Sequence, residues 1–533
     1  MSSRRQNATE AVPAERPRRE ATDLSRELRG VLFGARESAA AERPKQPEIF
    51  VDLALDQVIS AVTGGREEYD LAPFFWQPLR TAEAVRYRQA VVRDLADADV
   101  LRTFNQFATA MQAVRLDLAR AGKHEHKYQK WRWRLDAENR YWAAVTKLDG
   151  DLRGSGLGSE ALRSFRSHLA GHVAADRSQQ RLAEGFSIAS ALGKIRYDLV
   201  IQGLRVEVRA SAGEPDLGAD IEAEFGAFSD GETADYQFEV QSSIYVNWVE
   251  GQILTLVGAV ERETFGRLEA FAGHGDDFID EEVQRFDREI QFYLGYLEVI
   301  RRLEKSGLAF CQAELAQSGV SIRDAFDLAL ALKLAGRGEP PVPNDSVLVW
   351  PERMIVVTGP NQGGKTTYAR LIGQAHYLAR LGLPLPARAA SVTLTDHIFT
   401  HFERAERMSS LRGKLQDDLL RVHRILEGAT PRSLIIINEI FTSTTLHDAV
   451  WLSEQVARRI LSLGALCLWV TFVDEVASLG EGVVSMMSEV VDGDPSTRTF
   501  KIRRQPPSGL AFAVSIAERY RLTRDALLER LRA

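Results

Sequence analysis

The chain has 533 residues, 45% of them apolar and 26% charged, with 67 Lys and Arg against 74 Asp and Glu. That length exceeds what one hydrophobic core serves, so two to four domains are expected, and the composition is that of an ordinary globular protein. The net charge of −7 excludes a nucleic-acid footprint spread over the whole surface, so any DNA contact must come from local patches.

The longest apolar runs, such as Ala465–Val473, are too short to span a bilayer, and the N-terminus lacks the apolar core of a signal peptide. No membrane partner is expected, and the expected location is the cytoplasm. Cys311 and Cys467 are the two cysteines, far apart and without His or Cys at ligand spacing; both read as buried thiols of a reducing compartment, with no metal site.

Residues 1–46 hold ten Lys/Arg and seven Asp/Glu and almost no large apolar residue before Leu24, which predicts a disordered, mildly basic tail. A nucleic-acid arm is the alternative, but Arg and Glu are interleaved there. From residue 47 to 335 a helical core with a β-insertion is expected. Apolar residues return every three or four positions over Asp52–Val62, Thr81–Ala96 and Asp99–Ala121. Lys123–Trp142 interleaves Lys123, Lys127, Lys130, Arg132 and Arg134 with Tyr128, Trp131, Trp133, Tyr141 and Trp142. Such a mixture suits a single-stranded nucleic-acid surface, but helical spacing with the aromatics in a core explains it as well.

Near residues 193–245 the pattern changes. Arg196–Gln202 and Leu204–Arg209 alternate around Gly203, which predicts a hairpin, with Tyr236–Val240 as a possible third strand. From Ala210 to Glu261 there are eleven Asp or Glu and no Lys or Arg, a surface that should repel phosphate. Helices resume near Tyr245, most clearly over Val283–Glu304, and the rigid Gly336–Pro343 (GRGEPPVP) is the expected boundary before a domain of residues 336–533.

The second domain opens with Met354–Thr358, a short apolar β-rich run. Gly359, Pro360, Asn361, Gln362, Gly363, Gly364, Lys365 and Thr366 then fit G-x-x-x-x-G-K-[ST], and Thr367 onward reads as a helix. Glycines in that setting let backbone N–H groups curl around phosphate oxygens, and the helix N-terminus adds partial positive charge. Lys365 is expected to reach the β/γ-phosphates of a nucleoside triphosphate and Thr366 to ligate Mg²⁺. Ser391–Phe402, Ser433–Asn438 and Ala465–Phe472 read as strands, Lys414–Glu427 and Ala449–Leu463 as helices, Thr499–Arg503 as an edge strand and Leu522–Arg532 as a closing helix. The alternation predicts a mostly parallel sheet with helices on its faces, so the fold class is multidomain α + α/β, helical core first and P-loop domain last. Asn438-Glu439 ends a predicted strand at the edge where ligands sit. Glu439 is the expected catalytic carboxylate, orienting or deprotonating water, and Asn438 stands where such sites usually carry an Asp that supports Mg²⁺.

The segments TGPNQGGKTTYAR, DHIFTHF, LIIINEIFTSTTLHDA and SGLAFAVSIAERY are similar to the ATPase domain of the MutS family, within the ABC ATPase superfamily. The likeness covers Pro343–Ala533, and the helical region with its insertion resembles more loosely the MutS core, lever and clamp. The resemblance implies ATP as the nucleotide, with Mg²⁺, and a homodimer that binds DNA. It also implies that the signature segment Met408–Asp418, with Ser410, Gly413 and Lys414, completes the partner's phosphate loop. The chain departs from the family in having Gly413-Lys414-Leu415 for Ser-Thr-Phe, Asn438 for Asp and Phe472 for His. No mismatch-reading domain is expected before the core and no nuclease domain after it. Two functions follow: an ATP-gated DNA clamp of repair or recombination that does not read mismatches, or an ATP-gated protein-interaction switch that has left DNA.

Overall fold

The computed structural model describes residues 30–34, 44–203, 205–211, 248–273, 278–403, 413–491 and 494–507, with positions 524 and 528 besides. Within the expected tail, residues 30–34 are instead docked on the helical body. Val31 and Leu32 are 2% and 1% exposed. Leu32 N–H donates to Glu289 at 3.1 Å, and the Tyr293 hydroxyl donates to Val31 O at 2.7 Å. Three apolar residues in a row, Val31-Leu32-Phe33, have enough surface to dock even in a polar neighbourhood.

The helical body comprises α1 (Ile49–Asp52), α2 (Leu55–Thr63), α3 (Ala72–Phe75), α4 (Ala82–Leu95), α5 (Ala98–Lys123), α6 (Lys127–Arg153), α7 (Glu160–Ala174) and α8 (Asp176–Gly193). After the hairpin β1 (Tyr197–Gln202) and β2 (Arg205–Ala210) come α9 (Trp248–Val260), α10 (Arg262–Ala272) and α11 (Glu281–Glu304). Side-chain caps start the helices where the chain must turn sharply. Thr81 accepts from Ala84 N–H at 3.2 Å, Asp97 from Asp99 N–H at 2.8 Å and Asp280 from Val283 N–H at 3.0 Å. Helices α5 and α6 form a hairpin arm about 40 Å long. Tyr141 and Trp142 of that arm lie in the main core, while Tyr128 and Trp131 pack on a separate small core of Leu135, Ile188, Val257, Phe265, Leu268 and Phe271. Core packing therefore accounts for four of the five aromatics of Lys123–Trp142, while Trp133 stacks on His124 beneath Arg120. The β1–β2 pair is antiparallel about Gly203, whose φ of 60° suits the turn. The expected third strand at Tyr236–Val240 and the closing helix at Leu522–Arg532 lie outside the described residues, apart from the helical positions Arg524 and Leu528.

Beyond α11 the chain forms β3 (Glu314–Ala316), β4 (Val320–Ala325), α12 (Leu328–Ala335), β5 (Asn344–Leu348), β6 (Met354–Thr358), α13 (Lys365–Leu381), β7 (Ala389–Thr393) and β8 (Ile398–Phe402). Then follow α14 (Lys414–Gly428), β9 (Leu434–Asn438), α15 (Leu446–Leu463), β10 (Leu466–Val470), β11 (Val483–Val491) and β12 (Asp494–Arg504). A six-stranded sheet runs in the order β12-β11-β6-β10-β9-β8, parallel except for the edge strand β12. Alternate residues of its strands serve two cores: Ile355, Val357, Ile436 and Leu468 face α13, while Met354, Val356, Ile435, Cys467 and Trp469 face α14 and α15. Cys467 is thus buried, but Cys311 is only half-buried, at an isolated bridge to Leu385.

A second sheet, β3-β7-β4-β5, was not anticipated. Its strand β4 precedes Gly336–Pro343 and its strand β5 follows it, so that segment links two strands of one sheet. No helix among the described residues is long and apolar enough to cross a membrane.

Helix α13 joins the sheets to the helical body. Gln374, fully buried, donates to Leu53 O at 2.9 Å and Asp327 Oδ1 at 2.8 Å and accepts from Leu328 N–H at 2.8 Å. Replacing Gln374 by Ala leaves these three groups short of a partner at a site closed to water. Gln374→Ala should cost at least about 2 kcal/mol of unfolding free energy. Urea unfolding followed through tryptophan fluorescence checks this; an unchanged midpoint would show the three bonds to be dispensable.

Candidate functional site

Strand β6 delivers the loop 359–364 onto the N-terminus of α13. The turn is made by left-handed backbone: φ is 111° at Gly359, 60° at Gln362 and 90° at Gly364. Gly359 and Gly363 also allow close approach, since a Cβ on Gly363 would lie 2.1 Å from Ser488 Oγ and one on Gly359 3.1 Å from Ser488 N. Ser488, on β11, donates to Gly363 O at 2.7 Å and so backs the loop. No side chain caps α13, whose first N–H groups and helix dipole therefore face the loop as an anion cradle.

Lys365 opens the helix and is 4% exposed. Its ammonium donates to Gly359 O at 2.9 Å and Pro360 O at 3.0 Å, with the Phe472 ring 4.6 Å away. Burial pushes this ammonium below the usual lysine range; the nearby Glu439 charge opposes the shift and Arg498 adds to it. Thr366 donates its hydroxyl to Asn438 Oδ1 at 3.3 Å, at the end of β9. Glu439 follows in left-handed backbone, φ 55°, with its N–H on Val470 O at 3.0 Å. Phe441, two residues on, has φ 62°, and its N–H donates to Asp418 of α14 at 3.4 Å. Non-glycine residues held this way mark strain that the surrounding fold sustains, as at functional sites.

Of these groups, Gly363, Gly364, Lys365, Thr366 and Glu439 line one cleft of about 530 Å³. Asn361, Gln362, Gly363, Gly364, Lys365, Thr366, Thr367 and Glu439 line it together with Pro340, Pro341, Val342, Asn344 and Phe500. Asn344 is fixed by accepting from Ile502 N–H at 2.7 Å and donating to Phe500 O at 3.1 Å. The structure thus brings Gly359 to Thr367 together with Asn438 and Glu439. Ser488, Arg498, Phe500 and the Pro340–Val342 wall were not foreseen. The alternation in Val484, Met486 and Ser488, all buried, could have revealed β11 and with it Ser488.

For a divalent cation the donors present are the Thr366 hydroxyl and the Asn438 amide oxygen, both neutral. Hard oxygens of this kind fit Mg²⁺, which draws its remaining ligands from water and phosphate. Of the signature segment, Ser410 lies outside the described residues. Gly413 precedes α14, and Lys414, its first residue, pairs with Glu403 of the same chain and donates to Thr442 Oγ1 at 3.0 Å.

Comparison with known proteins matches residues 355–518 to MutS domain V. The chain is 31% identical over 192 residues to the DNA mismatch repair protein MutS of Aquifex pyrophilus, covering 35% of this chain and 22% of that relative. It is 33% identical over 164 residues to the DNA mismatch repair protein MutS of Chlorobium chlorochromatii, covering 30% and 19%. To the DNA mismatch repair protein MutS 1 of Haloarcula marismortui it is 30% identical over 187 residues, covering 33% and 20%. The chain spans about a fifth of the length of these relatives. This segment, which holds the phosphate-type loop, Asn438 and Glu439, is similar to domain V of the MutS family.

Proposed function

We propose that this protein is an ATPase that acts as an ATP-gated, homodimeric DNA clamp in DNA repair or recombination, without reading mismatches. The observation that carries the reading is the convergence of loop residues 361–366 and Glu439 on one cleft, with Asn438 bonded to Thr366 beside it. In this reading the loop amides and the α13 dipole hold the triphosphate, and Lys365 exchanges its two loop carbonyls for β/γ-phosphate oxygens. Mg²⁺, held by Thr366 with Asn438 behind it, would neutralise phosphate charge when bound. Glu439 orients or deprotonates the attacking water. The neutral amide of Asn438 and the apolar ring of Phe472 offer little stabilisation to charge developing there, so turnover is slow.

The dimer part of the proposal has segment 408–418, with Ser410, Gly413 and Lys414, facing the partner's loop. Lys414 would then trade Glu403 for a phosphate of the opposite site. The DNA-repair part rests on the similarity to DNA mismatch repair proteins. The second reading, an ATP-gated protein-interaction switch, is favoured by the Ala210–Glu261 stretch, where eleven carboxylates and no Lys or Arg would oppose a DNA backbone.

Lys365→Ala should weaken ATP binding at least about tenfold by calorimetry, the loss of one charge-assisted contact. Glu439→Gln should still bind ATP, lose turnover and sediment as a dimer with ATP. Full affinity in the first variant, or parental turnover or an ATP-bound monomer in the second, would contradict the assignments.

On duplex, mismatched and branched DNA compared with and without ATP, binding should fall with salt and follow DNA shape. Matched and G·T-containing duplexes should differ by less than about tenfold. A larger preference for the mismatch would overturn that part of the proposal, and no binding to any of them would favour the protein-interaction switch.

A further inference from the structure

Strand β12 passes the phosphate-type loop irregularly. Ser488 faces Ile502 but Val490 faces Arg498, so β12 bulges out between those pairs, and Phe500 sits in left-handed backbone at φ 59°. Bulges of this kind re-aim side chains at the edges of sites. Here Phe500 is turned to the cleft, and the Arg498 Nε donates to Asn361 O, inside the loop, at 3.2 Å. With the Ser488 bond to Gly363 O on the other strand, the hairpin holds the loop at two carbonyls. Holding a carbonyl requires only a neutral donor, such as Ser488 provides. A guanidinium brings in addition a permanent charge and a planar fork whose geometry matches phosphate oxygens. That charge is felt at Lys365, where it adds to the effect of burial.

The opposite change occurs at the cation end. The partner of Thr366 is the amide of Asn438, which brings no negative charge toward a metal. Relative to a loop with a carboxylate there, the cation end is more positive by one unit charge, and the Arg498 guanidinium adds a positive group at the loop backbone. Both changes favour a triphosphate and disfavour a divalent cation.

Building on the nucleotide reading above, we propose that Arg498 is a second phosphate-binding cation of this cleft. With the amide at Asn438, it makes triphosphate uptake tolerant of Mg²⁺ removal. Protein cations carry the neutralising role, and the phosphates meet Lys365 and Arg498 from two sides of the loop.

The test is calorimetric titration of the full chain with ATP, once in Mg²⁺ and once in excess EDTA. The parent should lose less than about tenfold in affinity on removal of Mg²⁺. Arg498→Ala should lose at least about tenfold in EDTA and clearly less in Mg²⁺, whereas Arg498→Lys, which keeps the charge, should recover part of the loss. Asn438→Asp should bind ATP more tightly in Mg²⁺ than in EDTA by a wider margin than the parent. A purely structural tether predicts equal losses for Arg498→Ala in both media and no recovery by Lys; that result would overturn the proposal. Binding by the parent only in Mg²⁺ would overturn this inference while leaving the nucleotide reading intact. Binding in neither medium would overturn both.

Discussion

The burial of α13 on every side is the constraint on which the architecture depends. Most of its residues, from Lys365 and Tyr368 through Leu381, are shut away from water, between the six-stranded sheet and the helical body. A helix without a polar face must satisfy its buried polar side chains internally, and Gln374 and Tyr377 of α13 do so across the junction. Gln374 ties Leu53 and Asp327, and Tyr377 donates to Phe75 O at 2.8 Å. Arg380 O accepts from Leu79 N–H at 2.9 Å. The phosphate-type loop and the helical body are therefore ends of one rigid element. Close-packed interfaces of this sort pass displacement on, because they resist continuous deformation.

Around the N-terminal end of that element the backbone is least relaxed. Gln362, Glu439, Phe441 and Phe500 all hold positive φ without being glycine, and all lie in the loop, after β9 or on β12. The strain is sustained by strands β6, β9 and β10, which are buried over their whole length. The site is thus assembled by three chain segments far apart in sequence, and only the sheet's pairing order brings them together.

Much of this was legible in the sequence, for physical reasons. Helices α4, α5 and α11 are long and strongly amphipathic, and their observed bounds fall within two residues of the expected ones. The β1–β2 hairpin followed from alternation about Gly203, and the loop from Gly359 to Thr366 from glycine spacing between a strand and a helix. The second sheet was not visible because β3, β4 and β5 are short and partly exposed, with too few residues to show a period. Gly336–Pro343 was expected to be a domain boundary because proline-rich loops usually separate units; in the structure it links two strands of one sheet, and its Pro340 and Pro341 line the cleft. Arg498 could not have been found from spacing at all, since a β-bulge determines where its side chain goes.

The most direct measurement is a crystal structure of Glu439→Gln crystallised with ATP, read at the Lys365 ammonium. The account predicts that Lys365 Nζ leaves Gly359 O and Pro360 O for the β/γ-phosphate oxygens, with the triphosphate lying along the loop amides at the α13 N-terminus. A triphosphate bound elsewhere, with Lys365 still on those two carbonyls, would contradict it.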